Sequence, residues 1–111
     1  MNREIADKLE LSERHAQMIE KLLLNHIPDR PVWAFGSRTF GRARRYSDFD
    51  LAIAGPSPLS ASLEYELEEA LDRSLLPIEV DLIDLNDVSE PFRARIEPYF
   101  LPVQEPIIDR A

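Results

Sequence analysis

The chain has 111 residues, 44% of them apolar, and a formal net charge of −8 at pH 7. These figures predict one domain over residues 1–111 with a single core, and they exclude a chain disordered throughout. The acidic balance excludes a general nucleic-acid-binding face, which needs a basic stripe, and the absence of cysteine excludes thiolate metal sites and thiol catalysis.

Residues 1–11 mix charged and apolar side chains without settling on a period, so no element is predicted there. Ser12 can cap a helix over 13–26, with Glu13 in its first turn. Met18, Ile19, Leu22 and Leu23 recur at helical spacing and predict its buried stripe. His15 and His26 flank that stripe and read as boundary residues rather than ligands. The three leucines at 22–24 are far too few to span a bilayer, and no apolar signal segment opens the chain. A cytoplasmic protein without membrane contact is expected.

Pro28 and Pro31 end the helix and introduce a strand over 32–35, with Trp33 and Phe35 on one face. That strand stops abruptly at Gly36 and Ser37. A residue without Cβ permits a sharp turn and lets a phosphate approach backbone N–H groups closely. Ser37 adds a hydroxyl donor and can open a short helix whose N-terminus favours anions. Arg38, Arg42, Arg44 and Arg45 follow within eight residues, a local cationic site on an acidic protein. Some of these arginines are expected simply to face water.

A second strand opens with Asp48-x-Asp50 and continues through Leu51, Ala52 and Ile53. Residues two apart on a strand share a face, with Cα atoms roughly 6.5–7 Å apart. Both carboxylates therefore point the same way, and Phe49, Leu51 and Ile53 turn to the core. Such a pair repels itself unless a cation intervenes, and oxygen-only ligands suit a hard ion such as Mg²⁺. A phosphate cradle beside a carboxylate pair is equipment for phosphoryl or nucleotidyl transfer.

Gly55, Pro56, Ser57 and Pro58 mark a turn, and a helix over 59–74 follows. Its stripe is Leu63, Leu67, Ala70, Leu71 and Ser74, while Glu64, Glu66, Glu68, Glu69 and Asp72 form a solvated face. Pro77 introduces a third strand over 78–84, rich in β-branched residues. Ile78, Val80 and Leu82 share one face, which leaves Asp81 and Glu79 on the other. Beside Asp48 and Asp50, Asp81 would complete a carboxylate triad; Glu79 is the alternative, and an edge-strand acid in water is the plain reading. Ser89 and Glu90 start a short helix that Pro98 closes, and the apolar stretch 99–103 either covers the core or forms a sheet edge. Helices alternating with strands predict an α/β (α+β) arrangement, a small mixed sheet with flanking helices.

The spacing Gly36-Ser37, ten residues, Asp48-x-Asp50 resembles the signature of nucleotidyltransferases related to DNA polymerase β. The short chain and the Gly-Ser-Arg-x-x-Gly-x-Ala-Arg form are most similar to the minimal nucleotidyltransferase (MNT) antitoxins of HEPN/MNT toxin–antitoxin pairs. The resemblance implies a nucleotidyltransferase fold and a protein adenylyltransferase that moves AMP from ATP to a tyrosine of a neighbouring HEPN ribonuclease toxin. It implies metal binding by Asp48, Asp50 and Asp81, with one or two Mg²⁺ ions, Asp81 also helping to deprotonate the attacking hydroxyl. Gly36 and Ser37 would grip phosphates, with Arg38, Arg42 or Arg45 offsetting leaving-group charge. Two other functions stay open: a small-molecule transferase of the aminoglycoside-modifying type, and an antitoxin that acts by contact alone.

Overall fold

The computed structural model describes residues 1–40 and 48–106. Its elements are α1 (Arg3–Lys8), α2 (Glu13–His26), β1 (Val32–Phe35), a 3-10 turn (Ser37–Phe40), β2 (Phe49–Ile53), α3 (Ala61–Arg73), β3 (Val80–Asp84), α4 (Glu90–Ile96), a second 3-10 turn (Glu97–Tyr99) and β4 (Leu101–Gln104).

The helix α1 has no counterpart among the predicted elements, because six residues are too few to display a period. Local chemistry builds it instead. The Asn2 side chain accepts from Ile5 N at 2.8 Å and caps its start. At its end Glu10 takes a left-handed φ of 57°, and Leu11 N donates back to Ala6 O at 2.9 Å. The next helix, α2, has the predicted bounds. Ser12 accepts from His15 N at 3.1 Å, and Ala16, Ile19 and Leu23 are buried.

The sheet order is β3-β2-β1-β4. Strands β1 and β2 are antiparallel, β2 and β3 parallel through the α3 crossover, and β1 and β4 antiparallel. This is the mixed sheet the sequence predicts. Alternation along β2 sends Phe49, Leu51 and Ile53 into the main core, where Ile19, Leu23, Leu67 and Val103 join them. The opposite face gathers a smaller cluster around Phe35, Ala52 and Leu85, covered by Phe92, Ile96 and Phe100. Trp33 stacks on Phe100 with ring centroids 5.4 Å apart, and Phe35 meets Phe92 edge-on at 6.4 Å.

Several boundaries shift from the sequence reading. Helix α3 starts at Ala61 because Ser60 accepts from Leu63 N, while Leu59 N donates to Asp84 Oδ2 at 2.7 Å. Strand β3 starts at Val80, although Ile78 before it is already buried. The apolar stretch near the end becomes an edge strand. Pro102 is tolerated there, as an edge strand can leave one side of its ladder unpaired. Gln104 fastens that edge, its Nε2 donating to Ile27 O at 2.8 Å and Arg30 O at 2.9 Å. Among the described residues no helix is long and apolar enough to cross a membrane.

Candidate active site

Two ladder pairings assemble the site. Phe35, the last residue of β1, lies opposite Asp50, and Asp50 lies opposite Asp81 on β3. Directly opposed residues share a face, so Asp50 and Asp81 stand side by side on adjacent strands about 4.8 Å apart. Asp48 precedes β2 with the same parity and is exposed, as is Asp81; Asp50 between them is half-buried. Glu79 takes a different part, its carbonyl accepting from Phe49 N at 2.8 Å to extend the β2–β3 ladder.

This crowding has an electrostatic cost concentrated on one group. Burial pushes the Asp50 pKa above the usual carboxylate value, and the neighbouring charges of Asp81 and then Asp48 push it in the same direction. A carboxylate burdened in this way gains from a hard cation. Among the described residues, however, no three carboxylate or imidazole groups come close enough to form a cage on their own. Mg²⁺ fits such a site, since it is held by one or two carboxylates and completes its shell with water and substrate phosphates.

Gly36 sits at φ +84°, a left-handed conformation that favours glycine. The sequence reading gives the missing Cβ to an approaching phosphate. Here the nearest occupant of that space is the Asp50 carboxyl group: a Cβ would collide with Oδ2 and lie 3.2 Å from Cγ. The glycine is thus required by the carboxylate as well as by the turn. Ser37 follows, exposed, at the start of the 3-10 turn. Thr39 closes the turn, with its N–H 3.0 Å and its Oγ1 2.8 Å from Gly36 O. Sequence reasoning missed Thr39, though a threonine three residues after a turn glycine is a known backbone-bonding pattern.

Arg38 needs correction. Its expected place is on a phosphate, but it is only 2% exposed. Its Nη1 donates to Leu9 O at 3.0 Å and to Glu10 O at 3.3 Å, across the end of α1. Buried and bonded through Nη1 to those carbonyls, Arg38 braces the end of α1 rather than standing open in the loop. Arg42, Arg44 and Arg45 lie outside the described residues. Asp84, on the same strand as Asp81, serves the fold instead. Burial would raise its pKa, but hydrogen bonds from Leu59 N and from the backbone and side chain of Asn86, aided by the Arg30 charge, hold it below the usual value. A cavity of about 270 Å³ between α1 and α2, lined by Ala6, Leu11, Ala16 and Glu20 among others, includes none of the three site aspartates.

A mixed four-strand sheet with flanking helices, carrying a half-buried carboxylate opposite a tight glycine turn, is the fold of a nucleotidyltransferase. The chain belongs to the family described as "Polymerase beta, Nucleotidyltransferase", whose pattern matches residues 17–98. It is 40% identical over 98 residues to the "Probable protein adenylyltransferase MntA" of Haemophilus influenzae, covering 88% of this chain and 86% of that one. Two solved structures are similar. One is a toxin–antitoxin with AMP-PNP (29% identity, TM-score 0.65, 79% of this chain and 71% of that one). The other is a tri-AMPylated Shewanella oneidensis HEPN toxin in complex with MNT antitoxin (26% identity, TM-score 0.60, 79% and 67%).

Proposed function

We propose that this chain is an antitoxin that transfers AMP from ATP to a tyrosine hydroxyl of a HEPN-type ribonuclease toxin. The observation that carries the reading is the placement of Asp50 between Asp81 and the Gly36 turn. The likeness to MntA and to complexes holding AMP-PNP or an AMPylated HEPN toxin supplies the donor and the class of acceptor. In the reaction the acceptor oxygen bonds the α-phosphorus, the bond to the bridging oxygen of pyrophosphate breaks, and the hydroxyl proton leaves.

Each residue has a part consistent with its position. The turn at Gly36 and Ser37 offers backbone N–H groups and a hydroxyl to the β- and γ-phosphates. Asp81, exposed beside Asp50, is open to an acceptor hydroxyl and accepts its proton. Mg²⁺, one ion or two, would be shared among Asp48, Asp50 and Asp81, each ion taking one or two of them with water and phosphate, and when bound would offset triphosphate charge and make the acceptor hydroxyl more acidic. With Arg38 bonded to the end of α1, Arg42 or Arg45 is left to offset charge on the leaving pyrophosphate.

The test is to incubate the protein with the product of its neighbouring gene, Mg²⁺ and α-labelled ATP. Label is expected on a tyrosine of that neighbour, with a mass gain of one or more AMP units. An Asp48→Asn/Asp50→Asn double variant is expected to add none. Inhibition of the toxin without ATP, and with no mass ever added, would establish contact alone. Label on a small hydroxylated compound instead would keep the transferase and remove the antitoxin.

A further inference from the structure

We propose that Arg38 is a positioning residue: it anchors the phosphate-binding turn to the end of α1 and so holds that turn ready for nucleotide. The proposal rests on the nucleotidyl-transfer reading, since the turn matters only if phosphate binds there.

Three observations converge on it. Arg38 is the largest fully buried side chain among the described residues, and a buried guanidinium is tolerated only where its donors are satisfied. Its Nη1 donates to the carbonyls of Leu9 and Glu10. The last carbonyls of a helix lack intrahelical donors, and a cation at that end also meets the negative end of the backbone dipoles. Leu9 is fully buried, and Glu10 holds a left-handed φ of 57°, so the accepting backbone is fixed in turn.

The other end of the strut is the turn itself. Arg38 lies between Ser37 and Thr39, and Thr39 ties the same turn to Gly36 O from within. Gly36 in turn abuts the Asp50 carboxyl group. A slack turn would therefore do two things together: loosen the N–H groups meant for phosphate and release the glycine against which Asp50 is set. Preorganised donors bind better because less order remains to be imposed when ligand arrives. Misplacement by about 1 Å is enough to cost on the order of 100-fold in rate.

The experiment compares wild type with Arg38→Met, Arg38→Lys and Arg38→Gln by hydrogen exchange and by ATP kinetics. Arg38→Met is expected to speed amide exchange at residues 36–40 and 9–11 together, tenfold or more, while amides of β1 and β2 stay protected. KM for ATP should rise about tenfold, with a smaller fall in kcat. Arg38→Lys keeps a donor and a charge and should restore most of both readouts. Arg38→Gln keeps only a donor and should fall between, which secures the comparison if Arg38→Met does not fold. Exchange that rises evenly over the whole chain, or an unchanged KM for ATP in all three folded variants, overturns the proposal. A wild type that never transfers AMP removes the functional reading, and the exchange pattern then decides the anchoring alone.

Discussion

The carboxyl group of Asp50 occupies the space that a side chain on Gly36 would fill, with Asp50 Cγ 3.2 Å from the position of the absent Cβ. Gly36→Ala therefore meets two penalties, a clash with a strand-borne carboxylate and a left-handed φ. The conformational part alone is worth about 1–2 kcal/mol. The variant is expected to lose stability by at least that much and to lose most transfer activity, as Asp50 must move to admit the methyl group. Thermal melting and the rate of AMP transfer check this. Ser37→Ala, which removes an exposed hydroxyl, should leave the melting temperature unchanged and weaken ATP binding. Comparable melting losses in both variants would refute the contact.

Stability should depend on pH in a direction set by Asp50. Its pKa is raised by burial, then by Asp81 and Asp48. A raised carboxyl pKa means that folding favours the protonated form. Its contribution is present below the unfolded value and is lost as pH rises through the folded one. Asp50→Asn should therefore be more stable than wild type at neutral pH without divalent cation. That advantage should shrink as pH falls toward the ordinary carboxylate range. Added Mg²⁺ with a nonhydrolysable ATP analogue should raise the melting temperature of wild type and not of Asp50→Asn. Melting curves across pH, with and without both ligands, test the sign.

Asp81 and Glu79, the acid just before its strand, should separate cleanly. Asp81 stands opposite Asp50, whereas Glu79 is exposed and contributes its carbonyl to the ladder. Asp81→Asn is expected to lower kcat at least 100-fold while changing ATP affinity little, the pattern of an interaction made mainly in the transition state. Glu79→Gln should be close to wild type. Steady-state kinetics with toxin as acceptor distinguish the two, and the opposite ranking would move the catalytic assignment to Glu79.

Asp84 should behave unlike both. Its carboxylate accepts from Leu59 N at 2.7 Å and from Asn86 N at 2.9 Å, and its pKa is lowered on balance. A lowered pKa gives stability above the unfolded value that is lost as pH falls through the folded one. Asp84→Ala leaves a buried N–H without its charged acceptor, a loss of about 1.5–3 kcal/mol. Denaturant titration at neutral pH should show it, with the gap to wild type narrowing in acid. Variant protein that remains folded should transfer AMP at the wild-type rate.

What the sequence disclosed follows from where physical signals are local. Ser12 at one end and Pro28 and Pro31 beyond the other were enough to set both ends of α2. The alternation in Asp48-x-Asp50 gave the side of β2 that is buried, since Phe49 and Leu51 are fully enclosed. The same parity argument put Asp81 and Glu79 on the face away from Val80 and Leu82, and the parallel register sets Asp81 opposite Asp50. Other features depend on partners far away in sequence. Arg38 reads as a surface cation until Leu9 and Glu10 fold beside it, and neither is a residue type that attracts arginine. The helix α1 is fixed by one asparagine cap and a left-handed glutamate, a pattern too brief to stand out. The place of β4 beside β1 follows from the sheet closing, not from its own four residues.

The strand order also sets when the site can come into being. Asp50 lies on β2 and Gly36 directly follows β1, two antiparallel strands that succeed one another along the chain. Asp81 reaches them only when β3 docks in parallel after the α3 crossover. Pairings distant in sequence form late, because the chain must lose loop entropy before they return any contact energy. Folding thus brings the third negative charge against Asp50 only after β1 and β2 have paired, and like charge opposes that docking. A nascent chain released before residue 80 would carry the turn and two aspartates, yet no assembled centre.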